Sequence, residues 1–205
     1  MKLFAAPGTV AVAPAMALIE AAIPHEIQRI DFAAAEQTSP DYARINPKGR
    51  VPALALEDGT ILTETGALLE YIAAVATDAK LVPDNSVEAA HMRSVMYYLA
   101  STMHVAHAHK MRGTRWADSP ESHADMTAKV PQTMTACARY IEENAFCGPF
   151  TCGHAITLAD FYLFAVCSWL EGDGVTVSDF PKITAFLAAM SRRDSAAKLR
   201  QDGWL

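Results

Sequence analysis

The spacing of apolar positions changes character along this chain, and the change divides it in two. Residues 2–5 read as a short strand, closed by the turn Pro7-Gly8. Residues 10–22 have helical composition and stop before Pro24. Pro14 fits that helix only if it starts near Val10 or Ala11, because a proline needs no N–H in the first turn but breaks a helix interior. The helix start is thereby pinned beside Thr9 and Val10. Residues 25–32 alternate loosely and give a second strand, so the crossover implies a parallel pair. Ser39-Pro40 leads into a short helix at 41–44, and Asn46-Pro47-Lys48-Gly49 is a turn. Residues 51–56 and 60–62, joined by Glu57-Asp58-Gly59, form a hairpin. Glu64-Thr65-Gly66 then opens a helix over 67–75 with Leu68, Leu69 and Ile72 on one side.

The order β-α-β-α-β-β-α makes residues 1–76 an α/β domain with a mixed sheet. Residues 77–86, with Pro83, Asp84 and Asn85, read as a linker. Helical runs follow at 87–110, 120–144, 157–170 and 181–193, with no strand pattern between them, so residues 87–205 form an all-α bundle domain.

Composition narrows the function. A chain that is 51% hydrophobic and 20% charged is an ordinary globular one. A formal net charge of -6 argues against phosphate neutralisation, hence against nucleic acid as a partner. Cys137, Cys147, Cys152 and Cys167 make no C-x-x-C pair and no zinc spacing, and read as reduced thiols of a cytosolic protein. Lys2 followed by an apolar stretch imitates a secretory signal, but Pro7-Gly8, Pro14 and Glu20 interrupt it. No segment approaches the ~18 apolar residues of a membrane span.

Two segments carry candidate chemistry. Val51-Pro52 opens a strand with a residue that gives the ladder no donor. A plain trans turn explains this; so does a cis bond that turns the Val51 backbone outward, for a ligand's peptide to pair with it. Glu64-Thr65 stands at a helix start. It reads either as an N-cap with an acidic neighbour, or as a site where Thr65 and free N–H groups hold a carboxylate while Glu64 accepts from an ammonium.

Taken together and in order, these segments resemble the cytosolic glutathione transferases, most closely the bacterial beta class, over essentially the whole chain. The matching residues are Lys2-Leu3-Phe4 with Ala6-Pro7-Gly8, then 43–54 (A-R-I-N-P-K-G-R-V-P-A-L), 58–65 (D-G-T-I-L-T-E-T), and Ile156-Thr157-Leu158-Ala159-Asp160. The resemblance implies a thioredoxin-like first domain and a helical second domain. It implies glutathione as co-substrate, held by Lys48, Arg50, Val51, cis Pro52, Glu64 and Thr65, and no metal. It also implies a cytoplasmic homodimer acting on a small apolar electrophile or a disulfide. Thr157 and Asp160 match the family's capping box, a folding motif rather than a catalytic one.

The sequence departs from the family where the glutathione thiol is ionised. The beta-class cysteine position holds Val10, the next holds Ala11, and the tyrosine positions hold Phe4 and Ala5. Thr9 is the remaining hydroxyl in that loop, and fits two roles: a donor to the thiolate, with the N–H of Val10 or Ala11, or a plain helix cap. His104 falls where the beta class has a histidine, though the lysine that follows there is Val105 here. Catalytic candidates are therefore Thr9, Val10 and His104. His104 and His107 share a helix face while His109 points elsewhere, which makes the three poor metal ligands. Met96, Tyr97, Ser101, Met103, Arg112 and Trp116 read either as pocket lining or as core. Glutathione-dependent disulfide reduction, and a non-catalytic binding protein on the same fold, are the competing readings.

Overall fold

The computed structural model describes residues 1–205, which divide into two compact units, Met1–Pro83 with Met190–Leu205, and Asp84–Ala189. Against the helical domain expected over residues 87–205, the last sixteen residues, Met190–Leu205, group with the first unit.

In the first unit a four-stranded sheet has the order β2-β1-β3-β4, with β1 at Lys2–Ala5, β2 at Glu26–Arg29, β3 at Ala53–Ala55 and β4 at Ile61–Thr63. β1 and β2 are parallel, as the crossover requires, and β3 runs antiparallel to both β1 and β4. β2 is shorter than the alternating pattern suggested. Its neighbour Ile30 still donates to the Ala5 carbonyl (2.8 Å), but Asp31 Oδ1 then accepts from Ala33 and Ala34 and turns the chain away.

The crossover helix α1 spans Val12–Glu20, and α2 spans Pro40–Ala43 behind a Ser39 cap. α3 spans Thr65–Val75. α1 starts two residues later than its composition suggested, because residues 9–11 are held in a turn organised by Thr9; Pro14 remains in the first turn. Val12 through Leu18 are all buried, so α1 is a core helix rather than an amphipathic one. Leu3, Met16, Leu18, Leu54, Leu68, Leu69 and Ile72 are fully buried and form the centre of this unit.

The second unit is helical, with α4 at Ser86–Tyr98, α5 at His104–Ala108, α6 at Pro120–Asn144, α7 at Leu158–Cys167 and α8 at Pro181–Ser191. The periodic run at 87–110 is not one regular helix, because a π-helical turn at Leu99–Met103 separates α4 from α5. α7 is buried at every position, and its capping box forms. The Thr157 N–H and O–H both donate to Asp160 Oδ2 (2.7 and 2.9 Å). The buried Thr151 adds its N–H to Oδ1 (2.9 Å) and its hydroxyl to Oδ2 (3.1 Å). α9, Asp194–Gln201, completes the first unit and packs on α1. No helix is long and apolar enough to cross a membrane.

Candidate functional site

The loop between α2 and β3 is built around a buried asparagine. Asn46 is 1% exposed; its Nδ2 donates to the Arg50 carbonyl (2.6 Å) and its Oδ1 accepts the Lys48 N–H (3.2 Å). The Tyr42 hydroxyl donates to the same Arg50 carbonyl (2.8 Å). Burial pushes the Tyr42 phenol up to about 12, so it remains a donor across the physiological range. Gly49 adopts φ +62°, and a Cβ there would stand 3.2 Å from the Gln37 carbonyl, so the loop needs glycine at this point. From the sequence Asn46 reads only as part of a turn, and Tyr42 carries no signal. Their role depends on a carbonyl contributed by Arg50, four and eight residues away, which no periodicity encodes. The Arg50 side chain is exposed.

Immediately after this loop the Val51-Pro52 peptide is cis. β3 begins only at Ala53, so Val51 stands outside the ladder with its backbone uncommitted to the sheet.

Lys48 and Glu64 come together at the end of β4, just before Thr65. Lys48 Nζ donates to Thr63 Oγ1 (2.8 Å) and to Glu64 Oε1 (2.5 Å). Glu64 has φ +73°, a region non-glycine residues enter only under constraint, at a cost of about 1–3 kcal/mol. α3 begins directly behind it, and its first helical bond runs from the Leu68 N–H to the Glu64 carbonyl. The N–H groups of Thr65, Gly66 and Ala67 therefore point out of the helix start, the positive end of its dipole. Thr65, 6% exposed, sits among them. Chemically, free N–H groups at a helix start can bind an anion, and the Glu64 carboxylate beside them can accept from a cation.

The other candidate loop joins β1 to α1. Thr9 Oγ1 donates to the Ala6 carbonyl (2.6 Å) and accepts from the Ala11 N–H (3.3 Å). A hydroxyl has one proton, and here it is spent on Ala6. The Thr9 N–H also points to Ala6, that of Gly8 bonds Trp204, and those of Val12 and Ala13 bond Thr9 and Val10. Across Gly8–Ala13 the Val10 amide alone lacks an acceptor within the chain. Phe4 packs its ring edge-on against Tyr42, with centroids 6.0 Å apart.

In the second unit His104 lies against Trp169 (ring centroids 5.0 Å) and 6.5 Å from His107. His107 stacks on Trp169 at 4.2 Å, and its Nδ1 is 2.6 Å from the buried Asp173 carboxylate, which also meets Lys110. The sequence grouped His104 with His107 but gave no sign of Asp173, which arrives from the turn after α7. His109 turns instead to Trp116. Met96 and Met103 are 2% and 0% exposed and belong to the core, whereas Tyr97 and Trp116 are exposed. No group of three His, Cys, Asp or Glu side chains is placed to hold a metal ion.

Residues 1–74 match the model of the glutathione S-transferase N-terminal domain, and residues 108–201 that of the C-terminal domain. The chain belongs to the glutathione S-transferase family. Glutathione S-transferase GstA of Escherichia coli O157:H7 is 31% identical over 195 residues, 94% of each chain. A glutathione transferase homologue from Sulfitobacter, solved with bound glutathione, is 59% identical with a TM-score of 0.98, covering 100% of this chain and 98% of its own. The beta-class glutathione S-transferase of Sphingomonas chungbukensis is 29% identical, with a TM-score of 0.85 and full coverage of both chains. In this glutathione S-transferase the fold is the family's, a thioredoxin-like unit and a helical one. The loop after β1 carries Thr9, Val10 and Ala11, with the Val10 amide unbonded within the chain.

Proposed function

We propose that this glutathione S-transferase binds glutathione along two strips, ionises its thiol at the start of α1, and delivers the thiolate to an electrophilic carbon or a disulfide. Val51 pairs by its backbone with the cysteinyl part of the peptide, on the far side of cis Pro52, and Lys48 and Arg50 add positive charge beside it. Glu64 accepts from the γ-glutamyl ammonium, and Thr65 with the α3 N–H groups holds the γ-glutamyl carboxylate.

The observation that carries the reading is the arrangement at Thr9 and Val10. The Thr9 proton is committed to Ala6 while the Val10 N–H is unbonded within the chain, in the turn just before α1. A thiolate accepting that N–H gains a hydrogen bond and the favourable end of the α1 dipole, both of which lower its pKa from about 8.5. In conjugation a carbon–sulfur bond forms as the leaving group departs with its electron pair; with a disulfide a new sulfur–sulfur bond forms as a thiolate leaves. The thiol proton passes to solvent beforehand.

His104 serves as a polar group toward the second substrate. The protein works as a cytoplasmic homodimer in detoxification, with residues 1–83 and 190–205 as the glutathione-binding unit and residues of 84–189 facing the second substrate. The lack of any side-chain activator among Phe4, Val10 and Ala11 also supports a second reading, a binding protein that keeps glutathione without using it.

A panel of electrophiles and disulfides, assayed with glutathione on the wild type and on a variant lacking all four cysteines, tests the proposal. Burial pushes the thiols of Cys137, Cys152 and Cys167 up, away from the reactive thiolate form, and none of the four is in the Thr9 loop. Turnover that survives their removal supports chemistry on the glutathione sulfur; loss of turnover with unchanged glutathione affinity contradicts it.

A further inference from the structure

The C-terminal helix ends on the loop assigned above to the thiol. α9 closes in a Schellman motif: the Gly203 N–H bonds the Arg200 carbonyl (3.1 Å) and the Trp204 N–H bonds the Leu199 carbonyl (2.8 Å), with Gly203 at φ +75°. That reversal aims the Trp204 carbonyl outward, where it accepts the Gly8 N–H at 3.1 Å. Gly8 is the residue before Thr9 and itself has positive φ, so this bond fixes the entry to the Thr9-Val10 turn.

The corner is held from the sheet side as well. Arg29 ends β2 and pairs in register with Ala5, the last residue of β1. Its Nη2 donates to the Gly203 carbonyl (3.1 Å) and its guanidinium lies 5.3 Å from the centroid of the Trp204 ring. At its other end α9 is tied to the far end of α1. Glu20 receives Arg193 through both carboxylate oxygens (2.7 and 2.8 Å) and the Ser195 hydroxyl at 2.6 Å. The two helices thus run antiparallel, clamped where α1 finishes and just before it starts.

We infer that the Gly203-Trp204 corner is a positioning element of the thiol site: by holding Gly8 it sets the direction of the Val10 N–H. This rests on the proposed role of that amide. A donor displaced by a fraction of an ångström or tilted by tens of degrees loses much of its hydrogen bond, so the corner acts on thiol ionisation without touching glutathione.

The test removes residues 203–205 by a stop after Asp202, with Arg29→Met as a second variant that leaves the chain intact and severs the tie to Gly203 and the Trp204 ring. Two quantities are read: the pH titration of the thiolate absorbance of bound glutathione, and the affinity for S-methylglutathione, which has no thiol to ionise. The expected result is a bound-thiol pKa raised by about half to one unit in the truncation, and by less in Arg29→Met, with S-methylglutathione affinity within about twofold of wild type. A thiol pKa unmoved in both variants overturns the inference, as does a loss of S-methylglutathione affinity equal to the loss of thiolate. If the wild type itself shows no lowered thiol pKa, the underlying role of Val10 fails and the positioning role falls with it.

Discussion

Lys48 and Glu64 are joined across sixteen residues, with Lys48 Nζ 2.5 Å from Glu64 Oε1 and 2.8 Å from Thr63 Oγ1. The Lys48 and Glu64 side chains are 40% and 65% exposed, so the pair adds little to stability, about 0–1 kcal/mol. Its consequence is local: it holds the carboxylate of a residue at φ +73° beside the start of α3. Lys48→Met is expected to leave the thermal midpoint within about 2 °C of wild type while weakening glutathione roughly threefold or more. Calorimetry showing equal or tighter binding would remove Lys48 from the site.

Thr65→Ala removes one hydroxyl from the proposed carboxylate site and leaves its backbone donors. A hydrogen bond to a charged group contributes about 1.5–3 kcal/mol, so affinity for glutathione should fall by roughly tenfold or more. An unchanged dissociation constant would place the γ-glutamyl carboxylate elsewhere.

Glu20 links stability to pH. The paired hydrogen bonds from Arg193 hold its carboxyl below the usual 4.5, against the opposing effect of burial and with further help from Ser195. A depressed folded pKa means the unfolded chain binds the proton first on acidification. The contribution is therefore complete above 4.5 and is lost as pH falls through the folded value. Glu20→Gln should lower the midpoint at neutral pH by about 2–4 °C, and the gap to wild type should narrow as pH drops below 4.5 in a thermal melt series. A gap that is constant with pH would show that the Arg193 contact does not depend on charge.

Much of this fold was legible where one residue type permits few conformations. Pro14 located the start of α1 to within two residues, since its ring is accepted only in a first turn, and the run from Pro120 to Asn144 forms α6 over the full range read from its pattern. The unusual strand opening at Pro52 and the helix start at Glu64-Thr65 were legible because both are local signals. What escaped depends on partners that no periodicity of the chain encodes. Asn46 acts through a carbonyl, Thr151 joins the Thr157-Asp160 box from a preceding loop, and Asp173 meets His107 across 66 residues. α9 was missed because its sequence, DSAAKLRQ, is too polar to show an apolar stripe. Lys198 and Arg200 followed by Gly203 were a usable helix-stop signal.

One titration decides which group stabilises the thiolate. The thiolate absorbance of bound glutathione is followed against pH in the wild type and in Thr9→Ala. With the Thr9 proton held by Ala6 and the Val10 N–H as donor, the wild type should show a thiol pKa below that of free glutathione. Thr9→Ala should then raise it by no more than about one unit, the equivalent of one neutral hydrogen bond. A rise well beyond one unit would make the Thr9 hydroxyl the activator, and a wild type with no thiolate below the pH of free glutathione would contradict activation altogether.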